Sequence, residues 1–229
     1  MDSTQLSPRL QAVANFVPVG ARLADIGSDH AYLPVNLLMN NHIKYAIIGE
    51  VSQGPLDNAR HELQKRRVSN RAEGRLADGL LAVNDEDEID TVTIAGMGGI
   101  LISDILEASS QRHQSFNTLI LQPNTDEAIV RRWLMAHHYQ IIGENIVQED
   151  THFYEIIVAV PGEQVLSELD VEFGPFLRIE KTATFVAKWQ KEIDRITVIL
   201  DHLKVADKAQ TEAYYQWQAR YHQILEVMS

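Results

Sequence analysis

Short β-rich apolar runs alternate with stretches of helical periodicity through roughly the first 160 residues, and this alternation leaves few folds open. The apolar runs fall at residues 21–26, 45–50, 75–77, 90–95 and 118–122, and the helical stretches at 33–41, 54–67, 100–108 and 127–137. Strands joined by helical crossovers lie parallel in one sheet, with helices burying both faces. Two further runs, 139–148 and 153–160, are separated by a turn too short for a crossover, so they are expected to pair antiparallel. The expected class is α/β: a Rossmann-like parallel sheet with an antiparallel terminal hairpin.

At Pro161-Gly162-Glu163 the alternation stops. Beyond it Phe185, Trp189, Ile193, Ile196, Leu200 and Leu203 recur at three/four spacing, and Ala206, Ala209, Ala213, Trp217, Tyr221, Ile224 and Met228 repeat the pattern. Two such stripes with a short break predict a C-terminal antiparallel helical hairpin packed along an apolar seam. The chain thereby divides into a sheet domain, residues 1–162, and a coiled-coil-like helical domain, residues 163–229.

Composition removes several kinds of chemistry. The 229 residues include no cysteine, which excludes disulfides, thiolate zinc sites and cysteine nucleophiles. His113, His137, His138 and His152 show no metal-ligand spacing, and no metal is expected. No apolar stretch has the character of a membrane span and the start lacks a signal-peptide order, so a cytoplasmic protein is expected. The net charge of −12 argues against nucleic acid as a partner when taken alone, since phosphate neutralisation needs Lys and Arg. Its distribution matters more. Lys65, Arg66, Arg67, Arg71 and Arg75 share a short stretch with a single acid, Glu73, and the region after Glu163 is near balance with eight basic and ten acidic residues. Local basic surface is therefore available.

In an open parallel sheet, ligands bind at the carboxyl ends of the strands. There the sequence places its polar and glycine signals. The first strand runs into Asp25-Ile26-Gly27-Ser28-Asp29-His30, with Pro34 near a helix start. Gly27 lets backbone approach a ligand. The later glycines of a G-x-G-x-x-G fingerprint are replaced by Asp29 and Tyr32, which disfavours a pyrophosphate and favours a cationic ligand such as S-adenosylmethionine. Glu50 ends the second strand, where an acid that grips ribose hydroxyls belongs. Asp78-Gly79 follows the third strand and could meet an adenine edge. Gly96-Met97-Gly98-Gly99 follows the fourth. The fifth ends in Gln122-Pro123-Asn124, whose amides suit a base edge.

These stretches together resemble the bacterial tRNA adenine-N1 methyltransferases of the TrmK type, which modify adenine 22. The matching segments include Leu6-Ser7-Pro8-Arg9-Leu10, Ala24-Asp25-Ile26-Gly27-Ser28-Asp29-His30-Ala31-Tyr32-Leu33-Pro34, Gly49-Glu50-Val51, Gly54-Pro55 and Ala77-Asp78-Gly79-Leu80. They continue through Ile94-Ala95-Gly96-Met97-Gly98-Gly99, Ile120-Leu121-Gln122-Pro123-Asn124, Tyr154-Glu155-Ile156-Ile157 and Phe173-Gly174-Pro175, in order along nearly the whole chain. Only the segment 149–153 departs, being looser than the family's usual turn.

The resemblance implies a class I methyltransferase sheet with a helical appendage, S-adenosylmethionine as donor and tRNA as partner. It implies a cofactor site made of Asp25, Gly27, Asp29, Glu50, Asp78, Gly79, Gly96 and Met97, with Ser28 and Val51 in the same segments, and Arg9 and His30 on the substrate side. Asp29 is the candidate to stabilise the cationic product, with Asn124 or Gln122 orienting the base. Lys65, Arg66, Arg67 and Arg71 are expected to form one continuous tRNA surface with Lys181, Lys188 and Lys191, the latter three on one helix face. Oligomeric state is not fixed by sequence, a monomer being the simplest expectation. A methyltransferase for another RNA base or a small molecule, and a non-catalytic tRNA-binding protein on the same fold, remain alternatives.

Overall fold

The computed structural model describes residues 2–28 and 30–229. Helix α1 (Pro8–Ala14) leads to β1 (Arg22–Ile26), α2 (Tyr32–Met39), β2 (Tyr45–Glu50), α3 (Gln53–Lys65) and β3 (Ala72–Leu76). Two short 3-10 turns connect to β4 (Thr91–Gly98), α4 (Gly99–Ser110), β5 (Thr118–Thr125), α5 (Glu127–Ala136), β6 (Tyr139–Glu149) and β7 (His152–Pro161). The strands form one seven-stranded sheet in the order β3-β2-β1-β4-β5-β7-β6. The first five are parallel, and β7 pairs antiparallel with both β5 and β6. The expected parallel sheet with its antiparallel hairpin is what forms, with β7 inserted inside it.

Period-two alternation explains why central strands read as unbroken apolar runs. Leu23, Ile48 and Ile120 pack against the layer containing α1, α2 and α3. Their neighbours Ala24, Ile47, Leu119 and Leu121 pack against α4 and α5 on the other face. Each of these seven is fully buried. At the edge the signal weakens. Strand β3 occupies Ala72–Leu76 rather than 75–77, because only Ala72 and Gly74 of its residues are buried. Helix α1 was not foreseen, although Ser7 accepts a capping bond from the Leu10 amide and Pro8 takes an opening helical position.

Beyond the sheet come α6 (Glu168–Phe173), α7 (Leu177–Glu180), α8 (Ala183–Val205) and α9 (Glu212–Met228). The hairpin of α8 and α9 matches the expected pair, and Phe185, Trp189, Ile193, Ile196 and Leu200 are buried along α8. The second stripe is only partly right. Helix α9 begins after Thr211, whose hydroxyl caps the Tyr214 amide; Ala206 and Ala213 are exposed, and Ile224 and Val227 are its buried residues.

The appendage is docked rather than tethered. Its core includes Ile146 of β6 together with Phe173, Leu177, Phe185 and Trp189. Beneath it lies a buried charge network. Arg131 of α5 bonds Glu144 of β6 at 2.8 Å and Glu155 of β7 at 2.5 Å, and Lys188 of α8 bonds Glu155 at 2.7 Å and Glu127 at 2.8 Å. Burial alone would raise the Glu155 carboxyl, but the charges of Lys188 and Arg131 outweigh it and hold the group below its usual range. No helix among the described residues is long and apolar enough to cross a membrane.

Candidate active site

The carboxyl end of β1 carries a buried charge. Asp25 is 4% exposed, and its carboxylate accepts bonds from the hydroxyls of Thr93, at 2.5 Å, and Ser28. Burial pushes its pKa up, and the two hydroxyl bonds pull it only part of the way back. No cation pairs with it among the described residues. The chain then turns at Gly27, with φ +72°, whose amide donates to the Gly49 carbonyl at 2.9 Å. A Cβ there would lie 2.0 Å from Cε of Met97, so the Met97 thioether closes over this turn. Ala31, fully buried, holds the left-handed conformation at the start of α2, a strain of the kind found at functional sites.

Arg9, Asp25, Gly27, Ser28, His30 and Gly96 line one cavity of about 260 Å³, so the structure brings these expected residues together. Glu50, 6% exposed, ends the neighbouring β2, and its carbonyl accepts the Ala77 amide at 2.9 Å. That bond sets Asp78 beside it. Asp78 and the buried Gly79 line a separate hollow of about 170 Å³ against α4, and Val51 is exposed on the same rim. Asp29, expected to act on the product charge, lies outside the described residues.

The far wall is built on a β-bulge. Pairing between β4 and β5 shifts register on both sides of Met97, and Gly96 takes φ +82°. The peptide groups thrown out of the ladder are caught by side chains. The Gly96 amide donates to Gln122 Oε1 at 3.1 Å, and Asn124 Nδ2 donates to the Gly96 carbonyl at 2.8 Å. Gln122 Oε1 also accepts from Arg9 Nη1 at 2.6 Å, and Gln122 Nε2 donates to the Pro123 carbonyl and to Asn124 Oδ1. Gln122 is fully buried, which corrects the expectation that it faces the base: its amide is spent on the bulge, and it positions Arg9, Gly96 and Asn124. Asn124 is exposed.

Two residues of this wall escaped sequence reasoning. The Arg9 guanidinium lies 5.4 Å from the Tyr154 ring centre, and the Arg9 amide donates to Glu149 at 3.0 Å. Tyr154 stood within a matching segment but carried no signal of its own. The hairpin tip, expected to be loose, closes in two residues between Glu149 and His152, with Asp150 at φ +54°.

The expected continuous basic surface does not form. Helix α3 starts beside Glu50 and runs 13 residues, about 20 Å, away from the rim, carrying Lys65, Arg66, Arg67 and Arg71 to the opposite end of the sheet. Strand β3 and the appendage's neighbour β6 form opposite edges, six strand spacings or about 29 Å apart. Arg66 bonds Glu62 and Asp2, Lys65 pairs with Glu62, and Arg71 bonds Asn41 and the Leu38 carbonyl. Of the expected helix face, Lys181 sits in the turn before α8, Lys188 is consumed by Glu127 and Glu155, and Lys191 donates to the Thr151 carbonyl.

The model of a family described as TrmK: tRNA (adenine(22)-N(1))-methyltransferase matches residues 23–226. A Bacillus subtilis (strain 168) protein named tRNA (adenine(22)-N(1))-methyltransferase is 39% identical over 212 residues, spanning 90% of this chain and 89% of that one. A Streptococcus pneumoniae structure in complex with S-adenosyl-L-methionine is similar at TM-score 0.90 and 41% identity, covering 98% of this chain and 100% of that one. The Mycoplasma capricolum structure named M. capricolum TrmK, in complex with S-adenosyl-homocysteine, is similar at TM-score 0.86 and 32% identity over 97% of each chain.

Proposed function

The chain belongs to the tRNA (adenine(22)-N(1))-methyltransferase family, and on that premise we propose that it transfers a methyl group from S-adenosyl-L-methionine to N1 of adenine 22 in tRNA. The observation that carries this reading is the rim itself. Two buried carboxylates, Asp25 and Glu50, end adjacent strands beside the positive-φ turns at Gly27 and Gly96, and the exposed amide of Asn124 is braced on the Gly96 carbonyl. That donor set fits a cationic nucleoside. Glu50 would accept bonds from ribose hydroxyls, Asp25 would face positive charge, and Asp78 with Gly79 would meet the adenine edge. Ser28, Val51 and Met97 would complete the walls.

When bound, S-adenosylmethionine supplies an electrophilic methyl carried on positively charged sulfur. Adenine N1 carries a lone pair and no proton, so the protein need not supply a general base; its task is alignment. Asn124 keeps one amide hydrogen and one carbonyl lone pair beyond those used on Gly96 and Gln122. A bidentate grip on adenine N7 and N6 uses just those groups and leaves N1 unobstructed. Arg9, fixed between Gln122 and Tyr154, and His30 would border the incoming base. Asp29 is proposed to stabilise the cationic ring of the product. The target must leave any pairing or stacking to expose its Watson–Crick edge, at a cost of a few kcal/mol. Residues 163–229 are proposed to contact the tRNA, through α8 near the rim rather than through Lys65, Arg66, Arg67 and Arg71. The protein is proposed to work as a cytoplasmic monomer.

The test is to incubate the protein with S-adenosylmethionine and unmodified tRNA and to map methylated nucleosides by digestion and mass spectrometry. One N1-methyladenosine at position 22, absent from a tRNA with guanine there, is the expected product. Methylation confined to another position would overturn the assignment.

A further inference from the structure

Between the tip of the β6–β7 hairpin and α8 lies a hollow of about 390 Å³ that shares Asn124 alone with the proposed methyl-transfer site. Asn124 closes one end, Phe153, His152, Trp189, Lys191 and Arg195 form its walls, and its two carboxylates, Glu127 and Glu192, are paired with Lys188 and Arg195. Two features set it apart from an ordinary surface dent. Lys191 lies 5.8 Å from the centre of the Phe153 ring and donates to the Thr151 carbonyl at 2.8 Å, yet no carboxylate pairs with it among the described residues. Trp189 is 5% exposed, and its indole N–H finds no acceptor among the described residues, although buried indoles are ordinarily bonded. Arg195 is different: Glu192 holds it at two points, 2.6 and 2.8 Å, and it rests over Trp217, so it shapes the outer wall without offering a free charge.

Asn124 connects this hollow to the cofactor cavity. One side of its amide holds the Gly96 carbonyl, and Gly96 lines that cavity. We propose that the hollow receives the nucleotide adjacent to the methylated adenine, with its base against Phe153 and His152 and its phosphate against Lys191. Aromatic faces combined with a cation free of carboxylates are the means by which proteins hold single-stranded nucleic acid. Taking one base out of a stack strips its neighbour of a partner, and the aromatic walls of the hollow that Asn124 also lines supply a replacement. The proposal rests on adenine 22 being the target.

The experiment uses the full chain and tRNA carrying photoreactive 4-thiouridine in turn at each neighbour of adenine 22. After irradiation, cross-linked peptides are identified by mass spectrometry. Cross-links from one neighbour to the hairpin tip or to α8 around Trp189 are expected. Phe153→Ala should raise the KM for tRNA roughly tenfold, with Phe153→Tyr restoring it and affinity for S-adenosylmethionine unmoved in both. Lys191→Gln should lower the salt dependence of tRNA binding by about one unit of slope. Cross-links confined to other segments, or an unchanged KM in folded Phe153→Ala while the parent protein methylates adenine 22, would overturn the hollow alone. A parent protein that leaves adenine 22 unmethylated would overturn both readings.

Discussion

Asp25 and Glu155 are both carboxylates inside the same sheet, 4% and 1% exposed, yet their acidities move in opposite directions. Glu155 sits between Arg131 and Lys188, and those cations hold it ionised despite its burial. Among the described residues Asp25 has the hydroxyls of Thr93 and Ser28, and burial raises its pKa. One network is complete within the protein. The other leaves a buried acid with no counter-charge among the described residues, which the proposed cationic cofactor would supply. Perturbed groups in structural networks and at binding sites look alike in isolation; what separates these two is whether the chain itself supplies the compensating charge.

The most damaging change should fall in the complete network. Arg131→Ala leaves Glu144 inside without its guanidinium and Glu155 with Lys188 alone, and should cost about 3–5 kcal/mol in denaturant unfolding. A loss below about 1 kcal/mol would show that the junction is not held by this pairing. At the rim, Glu50→Ala should weaken S-adenosylmethionine about ten- to a hundredfold by calorimetry, corresponding to about 1.5–3 kcal/mol for a charged hydrogen bond, while the chain stays folded. Unchanged affinity would remove Glu50 from the site.

The smallest effects should appear in pH profiles of stability, and their signs should differ. The folded pKa of Asp25 is raised, so its contribution is fully present in acid and is lost as pH rises through that pKa. Asp25→Asn should therefore gain stability relative to the parent as pH rises. The folded pKa of Glu155 is lowered, so its contribution is present above the unfolded value and is lost as pH falls through the folded one. Glu155→Gln should then be most damaging near neutrality and approach the parent in strong acid. Parallel profiles for the two variants would erase the distinction drawn between the networks.

Much of the rim could be read in advance, because strand ends leave local marks: an acid after an apolar run, then a glycine. Asp25 and Gly27 carry both parts of that mark, Glu50 the acid and Gly96 the glycine. What pairs across distance did not show. Arg131, Glu144 and Glu155 look like the solvated faces of a helix and two strands, and only the docking of α8 makes them interior. Lys188 was expected in solvent for the same reason. Gln122 was noticed for its amide, but whether an amide serves a ligand or a bulged peptide depends on the register of β4 against β5. Some misses were local and avoidable. Ser7-Pro8 opens α1, and the reciprocal bonds of Ser167 and Asp170 open α6, both recognisable helix starts.

The position of Lys188 also bears on the order in which the chain acquires its structure. It lies 61 residues after Glu127, the carboxylate to which it bonds, and 33 after Glu155. At synthesis rates of 5–20 residues per second, roughly 3–12 s separate the translation of Glu127 from that of its partner. Only over the last 33 of those residues is Glu155 already made, and until Lys188 follows its cationic partner is Arg131 alone. The helical hairpin thus supplies a counter-ion to Glu155 from a segment made after β7, so the charge balance of the sheet is completed by a residue that belongs to no strand.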